Sequence, residues 1–98
     1  MSRFAAYKNS SELESLQMAV SFISPTLMLN NFTLDCSGTD ALPRVKAVTL
    51  KVPEKGNKLI IANLKNIGFR KIRRESEKIN SWDPFSDSHF FIVLKKDL

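Results

Sequence analysis

Seven basic side chains, Lys55, Lys58, Lys65, Arg70, Lys71, Arg73 and Arg74, fall within twenty residues that contain no Asp or Glu. At this density Lys and Arg can neutralise phosphates, each contact releasing counterions and giving affinity without sequence preference. Residues 1–50 carry Arg3, Lys8, Arg44 and Lys46 against Glu12, Glu14, Asp35 and Asp40, so the formal charge of +5 belongs to the second half. Lys65, Arg70, Lys71, Arg73 and Arg74 surround one predicted helix-to-strand corner and form the candidate nucleic-acid-binding set. A solvated basic face, partly offset by Glu75 and Glu77, is the plainer reading of the same residues. Phe69, Trp82 or Phe85 would supply the stacking face that a single-stranded base needs. The aromatic sheet signature and the GXXG loop of RNA-binding modules are both absent.

A second feature is the polar stretch Asn80–Ser88, which sets Trp82 and Phe85 among turn-forming residues. Large aromatics on a loop make anchors for a partner's pocket; more often they fold back over one end of the core. Trp82 and Phe85 are therefore the candidate partner-binding residues. The chain holds one cysteine and one histidine, which excludes a Cys/His zinc cluster and an intrachain disulfide framework. A Cys36–His89 pair would need the two to meet in space and a third group to orient the ring, and nothing local to either provides this. Asp83 and Asp87 fall short of the six to eight oxygens that calcium prefers. No catalytic residue, metal site or cofactor is expected, and Cys36 is expected to be a reduced, buried thiol.

The elements that must position these groups follow from periodicity. Ser11-Glu12-Leu13-Glu14 has the form of a capping box, and Leu13, Leu16, Val20 and Ile23 recur at helical spacing until Pro25. A helix over about 11–23 is expected. From Thr26 to Cys36 the period shortens to two, with Met28, Phe32, Leu34 and Cys36 on one face. Ser37-Gly38-Thr39-Asp40 is turn chemistry, and Arg44–Val52 is a clear strand closed by Pro53, so the pair reads as an antiparallel hairpin. Asn57 is a candidate N-cap for a helix carrying Ile60, Ile61, Leu64 and Ile67, and Gly68 follows directly as a candidate C-cap. A short strand at 58–62 is the rival reading, because Leu59-Ile60-Ile61 is rich in strand formers. Phe69–Ser76 and His89–Lys96 are the last two strands, the latter apolar on both faces and so interior to the sheet.

The order α-β-β-α-β-β implies an α+β two-layer sandwich, with an antiparallel four-stranded sheet and two helices on one face. Moving the last strand to the front yields the ferredoxin-like order, so a permuted ferredoxin-like sheet is expected. Asn63–Ile72 followed by His89–Lys96 resembles the last helix and closing hairpin of a class I methyltransferase. That resemblance implies a helix-strand-strand unit for a third of the chain. The glycine-rich turn of such an enzyme has no counterpart among Gly38, Gly56 and Gly68.

With 98 residues the chain makes a single domain, 1–98, and 43% hydrophobic residues support one core. No apolar run approaches the roughly 20 residues of a membrane span. The apolar stretch 16–29 follows acids rather than bases, so no export signal is expected and the location reads as cytoplasmic or nuclear. The sequons at Asn9 and Asn31 are then chance. The expectation is a non-enzymatic binding protein whose partner is nucleic acid, RNA or DNA. The alternative is a protein-interaction subunit or inhibitor that docks an acidic protein through a sheet edge or the Trp82–Phe85 loop. An uncapped edge strand can also pair with a second copy to give a homodimer.

Overall fold

The computed structural model describes residues 4–37, 43–78, 82–85 and 87–98. Its elements run α1 (Ser10–Ile23), α2 (Pro25–Asn31), β1 (Phe32–Ser37), β2 (Arg44–Pro53), α3 (Lys58–Asn66), β3 (Arg70–Lys78) and β4 (Ser88–Asp97). The four strands form one antiparallel sheet in the order β1-β2-β4-β3, so the chain is an α+β protein. The Gly38–Asp40 part of the expected turn lies outside the described residues, as do Asn80, Ser81 and Ser86 of the polar stretch.

Residues 26–31 are helix rather than strand. Ser24 accepts a hydrogen bond from the Leu27 amide at 3.4 Å, and Pro25 occupies the first turn of α2. That is the arrangement in which proline starts a helix as readily as it ends the preceding one. Met28 and Phe32, which suggested a period of two, are also one helical turn apart. The Ser11 capping box does not form either: Ser11 lies inside α1, and Asn9 holds the N-cap position without a side-chain cap. Asn9 is instead buried against β2, its amide nitrogen donating to the Val45 carbonyl at 2.8 Å. The Val45 amide donates back to the Asn9 side-chain oxygen at 3.1 Å, so one side chain serves both backbone groups. With both its polar atoms committed, Asn9 is unsuited to carry a glycan.

Leu13, Leu16 and Val20 of α1, Leu27 and Met28 of α2, and Leu64 of α3 share a cluster with Phe32, Val48, Leu50, Val52, Ile92 and Leu94. The helices therefore cover one sheet face, and α2 makes them three where two were expected. Such a side chain contributes roughly 1.5–3 kcal/mol by leaving water. Strand β4 lies between β2 and β3, as its two apolar faces require, with Val93 buried on the side away from the helices. The segment that resembles a methyltransferase terminus does fold as a helix and hairpin. The β1–β2 hairpin beside it is antiparallel, unlike the parallel sheet of such an enzyme.

Candidate nucleic-acid interface

Helix α3 ends where the glycine stop requires, which disposes of the rival strand at 58–62. The Phe69 amide donates to the Leu64 carbonyl and the Gly68 amide to the Lys65 carbonyl, each at 3.1 Å. These two bonds, with Gly68 at φ +107°, form a Schellman cap, and buried Phe69 and Leu64 supply its hydrophobic contact. The cap fixes the corner between α3 and β3. At the other end Asn57 holds the N-cap position but does not cap; its side-chain amide donates to the Pro53 carbonyl at 2.8 Å.

Strand alternation then divides the five predicted cations. Arg70 sits opposite Lys95 and Arg73 opposite Val93, both on the sheet face away from the helices. Lys71 sits opposite Leu94 and Arg74 opposite Ile92, on the helix-bearing face. The register shift between Lys71 and Arg73 makes Ile72 the extra residue of a bulge. Lys65, exposed on the last turn of α3, joins Lys71 and Arg74 on that side. The set brought together is thus Lys65, Lys71 and Arg74; Arg70 and Arg73 belong to the opposite face.

That opposite face is laced with ion pairs. Arg70 meets Asp97 at 2.9 Å, Arg73 meets Glu75 at 2.7 Å, and Lys51 bridges Glu77 at 2.6 Å and Glu75 at 3.5 Å. The Lys51 ammonium also lies 4.6 Å from the centre of the Phe91 ring. Its hydrogen bond to Glu77 holds the Lys51 ammonium above its ordinary value, and Arg73 holds the Glu75 carboxyl below its own. Exposed pairs of this kind stabilise little, but they leave this face close to neutral.

On the helix side the balance differs. Lys58, Ile61, Ala62 and Lys65 of α3 and Glu54 after β2 line a depression of about 390 Å³. Among the described residues Lys58, Lys65 and Lys71 have no ion-pair partner. Glu54 is engaged by Arg74, whose Nε donates to Oε2 at 2.7 Å and Nη2 to Oε1 at 2.9 Å. This two-pronged bond holds the Glu54 carboxyl below its ordinary value, with help from Lys71, and holds Arg74 above its own. The Arg74 guanidinium also lies 3.9 Å from the centre of the Phe90 ring. The result is a concave surface with an apolar lining, four cations and one carboxylate, suited to an anion that carries an apolar or aromatic part.

Lys58 stood in the basic run but outside the candidate set, and Glu54 was not singled out by the sequence. Lys58, Ile61, Ala62 and Lys65 have the i, i+3, i+4, i+7 spacing of one helix face, a legible signal. The Glu54–Arg74 pair spans twenty residues and has no local signature. The other candidates scatter. Trp82 and Phe85 are 81% and 93% exposed and do not fold back over the core. Cys36 is exposed rather than buried, on the edge strand β1 just past the register shift that follows Asp35; it raises the pKa of the neighbouring Tyr7 phenol through a hydrogen bond. Cys36 pairs with Val45 at one end of β2, and His89 lies beyond Pro53 at the other. At roughly 3.3 Å per residue the length of β2 keeps thiol and imidazole more than 20 Å apart. Asp83 is committed to the Phe85 amide at 2.9 Å. No helix among the described residues is long and apolar enough to cross a membrane. No family model, curated protein or solved structure matches the chain.

Proposed function

We propose that this chain is a small basic, non-enzymatic protein that binds nucleic acid in the trough that α3 and Glu54 line and that Lys71 and Arg74 of β3 flank. One observation carries the reading: Lys58 and Lys65 line an apolar depression without ion-pair partners among the described residues and Lys71 stands near its Glu54, while on the opposite sheet face Arg70, Arg73 and Lys51 are paired with acids. Phosphates would take the lysines, and sugars or bases the Ile61–Ala62 wall. The strand order β1-β2-β4-β3, with helices before β1 and β3, supports the finer description as a permuted ferredoxin-like sheet. Work in the cytoplasm or nucleus is part of the proposal. The edge strand β3 carries a bulge at Ile72, and seven of its nine residues are charged. These features guard the β3 edge against pairing, which leaves β1 as the edge through which a homodimer would form.

The second reading, docking of an acidic protein partner, draws on the exposure of Trp82 and Phe85 at the tip of the β3–β4 hairpin. Fluorescence anisotropy with labelled single- and double-stranded oligonucleotides, at micromolar protein and low salt, separates the two. Binding that weakens steeply as salt rises is expected. If neither oligonucleotide binds, the nucleic-acid reading fails and the hairpin tip becomes the leading candidate.

A further inference from the structure

A second depression of about 340 Å³ adjoins the trough. It is lined by Pro53, Glu54, Lys55, Ser88, His89 and Phe90, so Glu54 borders both. Phe90 is an outlier for a central strand, since 41% of it remains exposed. The reason is geometric: Phe90 lies past the last β2–β4 pair, Pro53 with Phe91, and outside the core cluster that the helices cover. One face of its ring is taken by the Arg74 guanidinium, and Glu54 fixes that guanidinium through two hydrogen bonds. Phe90 and Arg74 thus form a stack that exists before any ligand arrives.

We infer that the Phe90–Arg74 stack is a seat for one unpaired nucleobase, and that the trough therefore selects single-stranded over double-stranded nucleic acid. The inference rests on the nucleic-acid reading above. A base inside a duplex has both faces covered by its neighbours and cannot use the seat, whereas a strand with splayed bases can. Stacking on an aromatic ring or an arginine plane tolerates any base, so the seat adds affinity without sequence preference. Lys55 borders the same depression and offers the seated nucleotide's phosphate a partner, while the neighbouring phosphates run toward Lys58 and Lys65. Phe90→Leu removes the π-face while keeping an apolar side chain at a partly exposed position.

The test compares single-stranded and duplex oligonucleotides of one sequence on the wild type, Phe90→Leu and Lys65→Gln/Lys71→Gln. Phe90→Leu should weaken single-strand binding roughly five- to a hundredfold, the range for loss of one stacked base, and leave duplex binding unchanged. The lysine pair should weaken both. A single strand carrying 2-aminopurine should show quenched fluorescence on binding wild type and not on binding Phe90→Leu. If Phe90→Leu changes neither affinity while the lysine pair still lowers both, the seat is overturned and the nucleic-acid reading stands. If the wild type binds no oligonucleotide, both fall together.

Discussion

Gly68→Val tests the corner on which the site depends. Gly68 has φ +107°, a conformation that L side chains rarely adopt, and it follows the C-cap Ile67 as the left-handed residue that closes the Schellman motif of α3. A β-branched residue held there costs about 1–3 kcal/mol in backbone strain. A second cost is specific to this position: the space a Cβ would enter is occupied by the Lys96 ammonium and its adjoining methylenes. Lys96 can yield, because the obstructing atoms are the far end of a flexible side chain. Gly56 is the internal control, with φ +78° and nothing within 4 Å of the corresponding position. For a domain of this size 1 kcal/mol shifts Tm by about 4–8 °C, so Gly68→Val should lower Tm by roughly 5–20 °C. Gly56→Val should lose less, and Lys96→Ala should return part of the Gly68→Val loss. Thermal and urea unfolding followed by circular dichroism measure all four proteins. A Gly68→Val midpoint equal to wild type would refute the cap. Equal losses at the two glycines, with no rescue by Lys96→Ala, would refute the role of Lys96.

Three further outcomes follow from the same packing. Leu64 is the one buried residue of α3, so Leu64→Ala should cost about 2–5 kcal/mol by urea unfolding and loosen the wall that carries Lys58 and Lys65. Asn9→Ala leaves the buried Val45 amide and carbonyl without their partners and should cost about 1–3 kcal/mol in the same assay. Glu54 and Glu75 are held below the ordinary carboxyl value of 4.5, so the stability they lend is present above about pH 4.5 and lost as pH falls through their lowered values. The urea midpoint should therefore be flat from pH 7 to 5 and decline below pH 4.5, less steeply in Glu54→Gln.

Much of the fold was legible because periodicity and punctuation agreed. In α1 the aliphatic stripe and Pro25 acted together, in β2 the alternation ran unbroken to Pro53, and in α3 the helical spacing met a glycine stop. The exception is α2, where Leu27-Met28-Leu29 between Pro25 and Phe32 fits a helix and a strand alike, and the Ser24 cap with Pro25 in the first turn decided it. Asn9 was read as a sequon because its role is tertiary: its partner, Val45, lies 36 residues away. The site was half legible. A run of cations marks a place along the chain, but a strand sends successive side chains to opposite faces, and the bulge at Ile72 shifts which ones. Arg70 and Arg73 were thereby parted from Lys71 and Arg74. Arg73 meets Glu75 two residues on, but the acids that Arg70, Arg74 and Lys51 meet could not be read locally, since Asp97, Glu54 and Glu77 reach them only through the register of β2, β4 and β3.

That division by faces also supplies the sharpest test of where the anion binds. Two charge variants should behave differently: Lys58→Gln/Lys65→Gln/Lys71→Gln, which removes three cations from the trough, and Arg70→Gln/Arg73→Gln, which removes two from the opposite face. Both sets are exposed, so both proteins should fold. Anisotropy titration of a labelled single strand at several salt concentrations then reads affinity and salt slope together. The trough variant should lose affinity and flatten the slope of log affinity against log salt by about 2, at roughly 0.7 for each of three lost phosphate contacts. The opposite-face variant should stay within about twofold of wild type in affinity and keep its slope. Equal losses in the two variants, or a larger loss from Arg70→Gln/Arg73→Gln, would contradict the assignment of the trough as the binding surface.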